Sequence, residues 1–269
     1  MQLPHVTVLD RPKKVRLKDL DPDPKHGLSH DEIKQKLEKI HEEMFDLQAR
    51  LHAEGKTGLL IVLQAMDAAG KDGTVKSVFS GLNPQACQVS SFKEPSKEEL
   101  AHDYLWRIHQ HTPPRGSIGI FNRSHYEDVL AVRVEGFAPK EVWKKRYDHI
   151  NAFEKMLTDE GTVILKFYLN ISKDEQKRRF EARLEIPKKH WKFSRSDVMK
   201  RERWEEYMEA FEDTFERCST DYAPWIIVPA NDKRYRDLVI ATAIVKALRE
   251  IDPQYPEVAA DLAGVKIPD

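Results

Sequence analysis

The chain has 269 residues, with 44 Lys and Arg against 45 Asp and Glu and a net charge of −1, so no global excess points to a polyanion and any basic site must be local. Its two cysteines, Cys87 and Cys218, stand far apart and exclude a disulfide framework or a Cys-x-x-Cys site, which suits a reducing compartment. No apolar run approaches the ~20 residues of a membrane span, and the opening MQLPHVTVLDRPKK lacks the apolar core of a signal peptide; a cytoplasmic protein without membrane or nucleic-acid partners is expected.

Residues 1–28 are rich in Pro, Lys and Asp without a period and read as an extended arm. A helix is expected over 29–54. Ser29 and Glu32 form a capping box, and Ile33, Leu37, Ile40, Met44, Leu47 and Leu51 make one stripe. The stripe is expected to pack on a sheet, with a subunit contact as the alternative. Leu59–Leu63 is an unbroken apolar run, the mark of a strand buried on both faces. Ala65-Met-Asp-Ala-Ala-Gly-Lys71 follows, and then a helical pattern of Val75, Val78, Phe79 and Leu82.

Strand, small-residue loop, Gly-Lys and helix is the layout of a phosphate-binding P-loop, whose amides and lysine face an anion. The amides of Ala68, Ala69, Gly70, Lys71, Asp72, Gly73 and Thr74 are therefore candidate phosphate ligands; an ordinary strand-to-helix turn is the alternative. Against G-x-x-x-x-G-K-[ST], Ala65 replaces the first Gly and Asp72 replaces the hydroxyl residue that touches Mg²⁺. Asp67 or Thr74 would have to supply that ligand.

Strands are next expected at Cys87–Phe92, Ser117–Phe121, Val163–Leu169 and Trp225–Pro229. Helices are expected from Ser96 to about His111, from Ser124 to about Val132, from Pro139 to Thr158, from Ser172 to before Pro187, over Asp197–Arg217 and over Arg234–Arg249. Alternation of strands and helices implies an α/β fold: three layers, with a mostly parallel five-stranded sheet covered on both faces and ligands beyond the carboxyl ends of its strands. The unit is expected to span 29–252, with a tail at 253–269 and no second domain.

Lys173–Arg203 holds twelve Lys or Arg against six Asp or Glu, a local charge of +6. A solvated charged face is the plain reading of any one residue. For the segment as a whole, a mobile basic lid over the P-loop is preferred, because cations there neutralise a transferring phosphoryl group. Arg123 follows a buried strand and should point over the P-loop, with a salt bridge as the alternative; Arg133 is a weaker candidate. Asn122 stands where P-loop enzymes often carry a metal-orienting aspartate, a charge that Asn cannot supply. His102, His109, His111 and His125 have no metal-ligand spacing and read as polar or capping residues. Trp191, in the basic stretch, is a candidate for contact with a base.

Assembled, these segments resemble the polyphosphate kinase 2 family. The stretches that carry the likeness are QAMDAAGKDGT at 64–74, SFKEPSKEELAHDYLWRIHQ at 91–110, IFNRSHYEDVLAVRV at 120–134 and WKKRYDHINAFEKML at 143–157. LKFYLNISKDEQKRRFEARL at 165–184, HWKFSRSDVMKRERWEEY at 190–207 and STDYAPWIIVPANDKRYR at 219–236 continue it in order. The resemblance implies a P-loop kinase fold similar to thymidylate kinase, with a helical lid. It implies Mg²⁺-dependent phosphoryl transfer between inorganic polyphosphate and adenine nucleotides, with guanine nucleotides as further candidates, and a homo-oligomer, dimer or tetramer. Asn122 and His125–Asp128 look like the branch that accepts both AMP and ADP. On this resemblance Asp67 would meet Mg²⁺ and orient the acceptor. Lys71 and the loop amides would hold the exchanged phosphates, and Arg123 and Arg178 would bridge donor and acceptor. Arg133, Arg183, Lys188 and Lys192 would line the polyphosphate path or lid. An ATP-dependent nucleoside monophosphate kinase of the same fold and a non-catalytic polyphosphate-binding module are the rivals.

Overall fold

A computed structural model describes residues 5–257 and Val265; most of the expected tail lies outside the described residues. The strands are β1 (Thr7–Leu9), β2 (Gly58–Gln64), β3 (Cys87–Ser91), β4 (Ile118–Asn122), β5 (Thr162–Asn170) and β6 (Trp225–Pro229). They form one sheet in the order β1-β6-β5-β2-β4-β3. All pairings are parallel except β1 with β6. The sheet therefore has six strands where five were expected. The extra one comes from the N-terminal arm, whose Thr7–Leu9 completes the free edge of β6. Three residues with no strand-like period gave no warning of it.

Every residue of β2 is buried, as its unbroken apolar run requires. β2 sits between β4 and β5, so the chain turns to opposite sides of the sheet around its carboxyl end. That reversal opens a crevice where α/β folds bind ligands.

The helices in chain order are α1 (His30–Glu54), α2 (Lys71–Val78), α3 (Lys97–Leu100), α4 (Trp106–His109), α5 (Ala131–Val134), α6 (Lys140–Asp159), α7 (Lys173–Glu185), α8 (Arg195–Glu202), α9 (Trp204–Cys218) and α10 (Lys233–Ile251). The Ser29 capping box is formed as read. The α1 stripe packs along α10 rather than directly on the sheet. Helix α10 lies between sheet and α1, and Leu238–Ala241 are therefore fully buried around its whole circumference. The helix expected over 96–111 is divided. Asp103 accepts from the amides of Leu105 and Trp106 at 2.9 and 3.1 Å, a local bond that competes with helix continuation and starts α4 afresh. The segment after Ser124 opens as a 3-10 turn, His125–Asp128, before the short α5. The helix expected over 197–217 breaks at Arg203, because its halves have different partners: α9 buries Trp204, Tyr207, Phe211 and Phe215, whereas α8 has no fully buried residue. Among the described residues no helix is long and apolar enough to cross a membrane.

Candidate active site

The loop from β2 to α2 reverses its backbone at Ala68 (φ 64°) and Gly70 (φ 108°), both left-handed. At Gly70 a Cβ would run into the Arg236 guanidinium, so glycine is required there for space as well as for φ. The loop carbonyls are turned back into the protein. Arg179 Nη1 donates to Ala68 O and Ala69 O at 3.0 and 2.6 Å, Arg236 Nη1 to Ala69 O at 3.1 Å, and Gln176 Nε2 to Asp67 O at 2.9 Å. Two buried guanidiniums thus sit behind the loop. The first-turn amides of α2 have no intrahelical acceptor, and Gly70–Gly73 face a cavity of about 390 Å³. This is an anion-binding helix end backed by fixed positive charge.

Lys71 is buried and donates to Ala65 O at 2.7 Å and Met66 O at 3.4 Å. Burial lowers its pKa to about 8; Arg123 adds to the shift, and Asp67, Glu127 and Asp72 oppose it. Asp67 accepts from Arg123 Nη2 at 2.7 Å and from Lys200 Nζ at 3.3 Å. Burial works against its charge, but Lys71, Arg123 and Lys200 outweigh burial and hold the carboxyl well below the usual carboxylate range. Asn122 Nδ2 donates to Asp72 Oδ1 at 2.7 Å, which joins β4 to the start of α2.

Arg123 also has a left-handed backbone (φ 64°), and its amide donates to Leu63 O at 3.1 Å. The turn that follows is pinned from beneath. Lys166, fully buried in β5, donates to Tyr126 Oη at 2.7 Å, Glu154 Oε2 at 2.6 Å and Cys218 O at 2.7 Å. Tyr126 Oη donates to Glu154 Oε1 at 2.8 Å, and His125 Nε2 lies 3.1 Å from the same oxygen. A buried ion pair therefore anchors the residues that present Arg123. His125 is a structural residue, in line with its sequence reading.

The basic segment lies over the loop. Arg183, Trp191, Lys192 and Asp197 line the P-loop cavity, and Lys200 reaches Asp67. Arg178 does not share that placement. Helix α7 turns Gln176, Arg179 and Phe180 inward, so Arg178 projects outward, its side chain 77% exposed and paired with Glu175. Arg133 is likewise elsewhere, tying α5 to α9 through Asp213 (2.6 Å) and Glu209 (2.9 Å) and covering Trp143. Lys188 is exposed and outside the cavity lining. Ala69 is buried with its carbonyl on both arginines, and the Thr74 hydroxyl turns inward to Asp237 at 3.3 Å. Sequence reasoning did not single out Arg179, Arg236 or Lys200. Basic residues on helices read as solvated, and only the +6 charge of their neighbourhood gave a signal for two of them.

A second cavity of about 410 Å³ joins the first at Arg123. Phe92, Leu100, Ile108 and Phe137 give it an apolar wall, and Glu127 and Asp128 add carboxyl groups. Burial raises Asp128 to about 6, with Arg146 opposing and Glu127 reinforcing the shift.

Among the described residues no group of three or more His, Cys, Asp or Glu could hold a metal. A cation of the magnesium type keeps several waters and needs only one or two carboxylates when phosphates supply the remaining oxygens. Asp67, ionised at the cavity wall, suits that arrangement; the inward-turned Thr74 hydroxyl does not.

The family model described as polyphosphate kinase 2 matches residues 27–256. An AMP/ADP-polyphosphate phosphotransferase from Meiothermus ruber is 53% identical over 211 residues, 78% of this chain and 79% of the relative. An ADP-polyphosphate phosphotransferase from Rhodopseudomonas palustris is 46% identical over 229 residues, 80% of this chain and 79% of the relative. The crystal structure of polyphosphate kinase 2 from Arthrobacter aurescens TC1 superposes with a TM-score of 0.90 at 42% identity, covering 95% of this chain and 92% of that one. With the loop, its backing arginines and the basic cover in place, these matches settle the family: the chain belongs to the polyphosphate kinase 2 family.

Proposed function

We propose that this protein transfers the terminal phosphoryl group of inorganic polyphosphate to AMP and to ADP. The observation that carries this reading is the meeting of two cavities at Arg123, whose guanidinium pairs with Asp67, an ionised carboxylate on the wall of the first cavity that also faces Lys71 and Lys200. The names borne by the relatives from M. ruber and R. palustris support the donor and both acceptors.

The acceptor is itself a phosphate, whose second pKa is about 6, so it is largely ionised at neutral pH and needs no general base. Catalysis reduces to holding two anions in line and cancelling their repulsion. Lys71 and the amides of Gly70, Asp72 and Gly73 hold the exchanged phosphates. Arg123 spans the two cavities and contacts both donor and acceptor. Arg183 and Lys192 line the donor path, with Lys188 farther out. Asn122 holds Asp72 at the wall of the first cavity through its amide donor. Asp67 would hold Mg²⁺, which supplies charge neutralisation on the phosphate oxygens when bound. The acceptor nucleoside lies against the apolar wall of the second cavity. Guanine nucleotides as further acceptors and a homo-oligomer follow from the family resemblance, and a cytoplasmic location follows from the cysteine usage.

The test is incubation of the pure protein with polyphosphate, Mg²⁺ and either AMP or ADP, without ATP, followed by nucleotide chromatography. ADP from AMP and ATP from ADP are expected. Product from ADP alone would remove AMP from the reading, and no product from a folded protein would overturn it.

Arg183, half-buried on the cavity wall, and Arg178, exposed and outside it, separate the two kinds of basic position. Arg183→Ala is expected to raise KM for polyphosphate about tenfold, the loss of one charge-assisted contact. Arg178→Ala, which removes an exposed pair, is expected to stay within about twofold. Saturation curves in polyphosphate for the two variants give the comparison directly.

A pH profile tests Lys71. kcat/KM, which reports the free enzyme, is expected to fall as pH rises through about 8, where Lys71 loses its charge. The limb in kcat should lie higher, since bound phosphate favours the ammonium. The lysine's folded pKa is below its unfolded value of ~10.4, so the folded state sheds its proton first and this group adds stability between those pH values. Unfolding at Lys71 therefore cannot explain the lost activity. A kcat/KM that stays flat to pH ~9.5 would remove Lys71 from phosphate binding in the free enzyme.

A further inference from the structure

Both oxygens of Asp67 face cations, but those cations come from different parts of the chain. Arg123, on Oδ1, follows a central strand. Lys200, on Oδ2, belongs to α8 within the basic cover. Helix α8 is fastened to α7 independently: Arg201 Nη1 donates to Lys173 O at 2.5 Å and to Gln176 Oε1 at 3.1 Å, and Asp197 lies 3.6 Å from Arg183. Lys200 is thus the direct ionic contact from α8 to the carboxylate of the loop. It also borders the second cavity, so its ammonium stands on the route between the proposed donor and acceptor phosphates.

A divalent cation taking Oδ2 must meet the Lys200 ammonium at a distance where like charges repel strongly in a half-buried site. The ion pair of Lys200 is with Asp67; Asp197, one turn earlier on α8, lies within its electrostatic reach but is already paired with Arg183, and phosphates on either side would accept the displaced ammonium. We propose that Lys200 is a positioning residue that competes with the divalent cation for Asp67, and that metal loading moves its ammonium from the carboxylate onto the phosphates. The inference rests on the reading of Asp67 as the metal carboxylate.

The test counts free Mn²⁺ by electron paramagnetic resonance during titration of the full chain at a fixed concentration of inorganic phosphate, without nucleotide or polyphosphate and against a protein-free blank holding the same phosphate. Lys200→Met is expected to bind Mn²⁺ about tenfold more tightly than wild type, the factor for removing one partly screened competing cation. Lys200→Arg, which keeps the charge, should restore wild-type binding. Lys192→Met serves as a control for the general field, because Lys192 lines the same cavity as Asp67 without touching that carboxylate; it should stay within about twofold. A merely structural role would not tighten metal binding. Lys200→Met binding no better than wild type, an unsaturated titration included, overturns the proposal, as does an equal gain in Lys192→Met. Asp67→Asn separates the two levels. If it retains Mn²⁺ binding in the Lys200→Met background, the metal reading of Asp67 fails. If it abolishes that binding while Lys200→Met alone gains nothing, only the competition fails.

Discussion

Lys71→Ala is expected to slow phosphoryl transfer from polyphosphate to AMP by about 10³-fold, and Asp67→Asn by a comparable factor, the range seen when a preorganised charge is removed from a transferring group. The two substitutions act on opposite sides of one device. Lys71 is held by Ala65 O and Met66 O so that its ammonium lies under the loop, whereas Lys76, the other cation of α2, is exposed in its last turn and outside the cavity lining. Asp67 is nearly isosteric with Asn, so shape is kept and charge alone is lost. Arg123 and Lys200 would then face a neutral amide, and a divalent cation would lose its carboxylate. The loss should fall in kcat more than in KM for the nucleotide, because neither residue touches the apolar wall assigned to the nucleoside. Assay of both acceptors beside wild type gives the answer. Retention of more than about a tenth of the wild-type kcat by Lys71→Ala would place the reacting phosphate elsewhere.

Lys166→Met carries the largest expected effect on stability. Lys166 and Glu154 are completely buried, and Lys166 makes three hydrogen bonds within 2.7 Å. Burial opposes the Glu154 charge, but Lys166 and His125 hold it below the usual carboxylate range. Removing the lysine leaves that carboxylate with a phenol and an imidazole. The cost expected for orphaning a buried ion is about 3–5 kcal/mol, or a fall in Tm of about 10 °C for a chain of this size. Adding Glu154→Gln should recover part of it, because the double variant no longer buries an unpaired charge. Calorimetric melts of the two single variants and the double variant close the cycle. A Lys166→Met melt within about 1 kcal/mol of wild type would mean that water reaches the network. Because the network pins the turn after Arg123, the variant should also lose kcat at temperatures where it remains folded.

The sequence made the scaffold legible where periodicity and caps were strong. The β2 run, the Ser29 box and the parallel alternation were readable because burial on two faces and amide capping leave local signatures. The P-loop lysine and Arg123 were readable for the same reason, each being tied to a strand end. Arg179 and Arg236 were not, since a basic residue on a helix looks alike whether it faces water or a backbone carbonyl. The neighbouring pair Arg178 and Arg179 shows the limit: one residue step turns a side chain by about 100° on a helix, enough to exchange the loop for solvent. Lys200 was hidden in the same way, its aim set by a break at Arg203 that no residue type announces.

The pairing of Thr7–Leu9 with Trp225–Ile227 joins the first strand to the last among the described residues. During synthesis the arm leaves the ribosome long before β6 exists, so it has to wait for the rest of the sheet to be made. Leu9 and Leu17 are buried in the finished protein, and the Leu17 amide is bonded to Glu212 on α9. Until then both leucines are exposed on a nascent chain, and β6, once made, has an open edge until the arm closes on it. The arm thus works as a completion latch: the sheet acquires its last strand only when translation has delivered the far end of the fold.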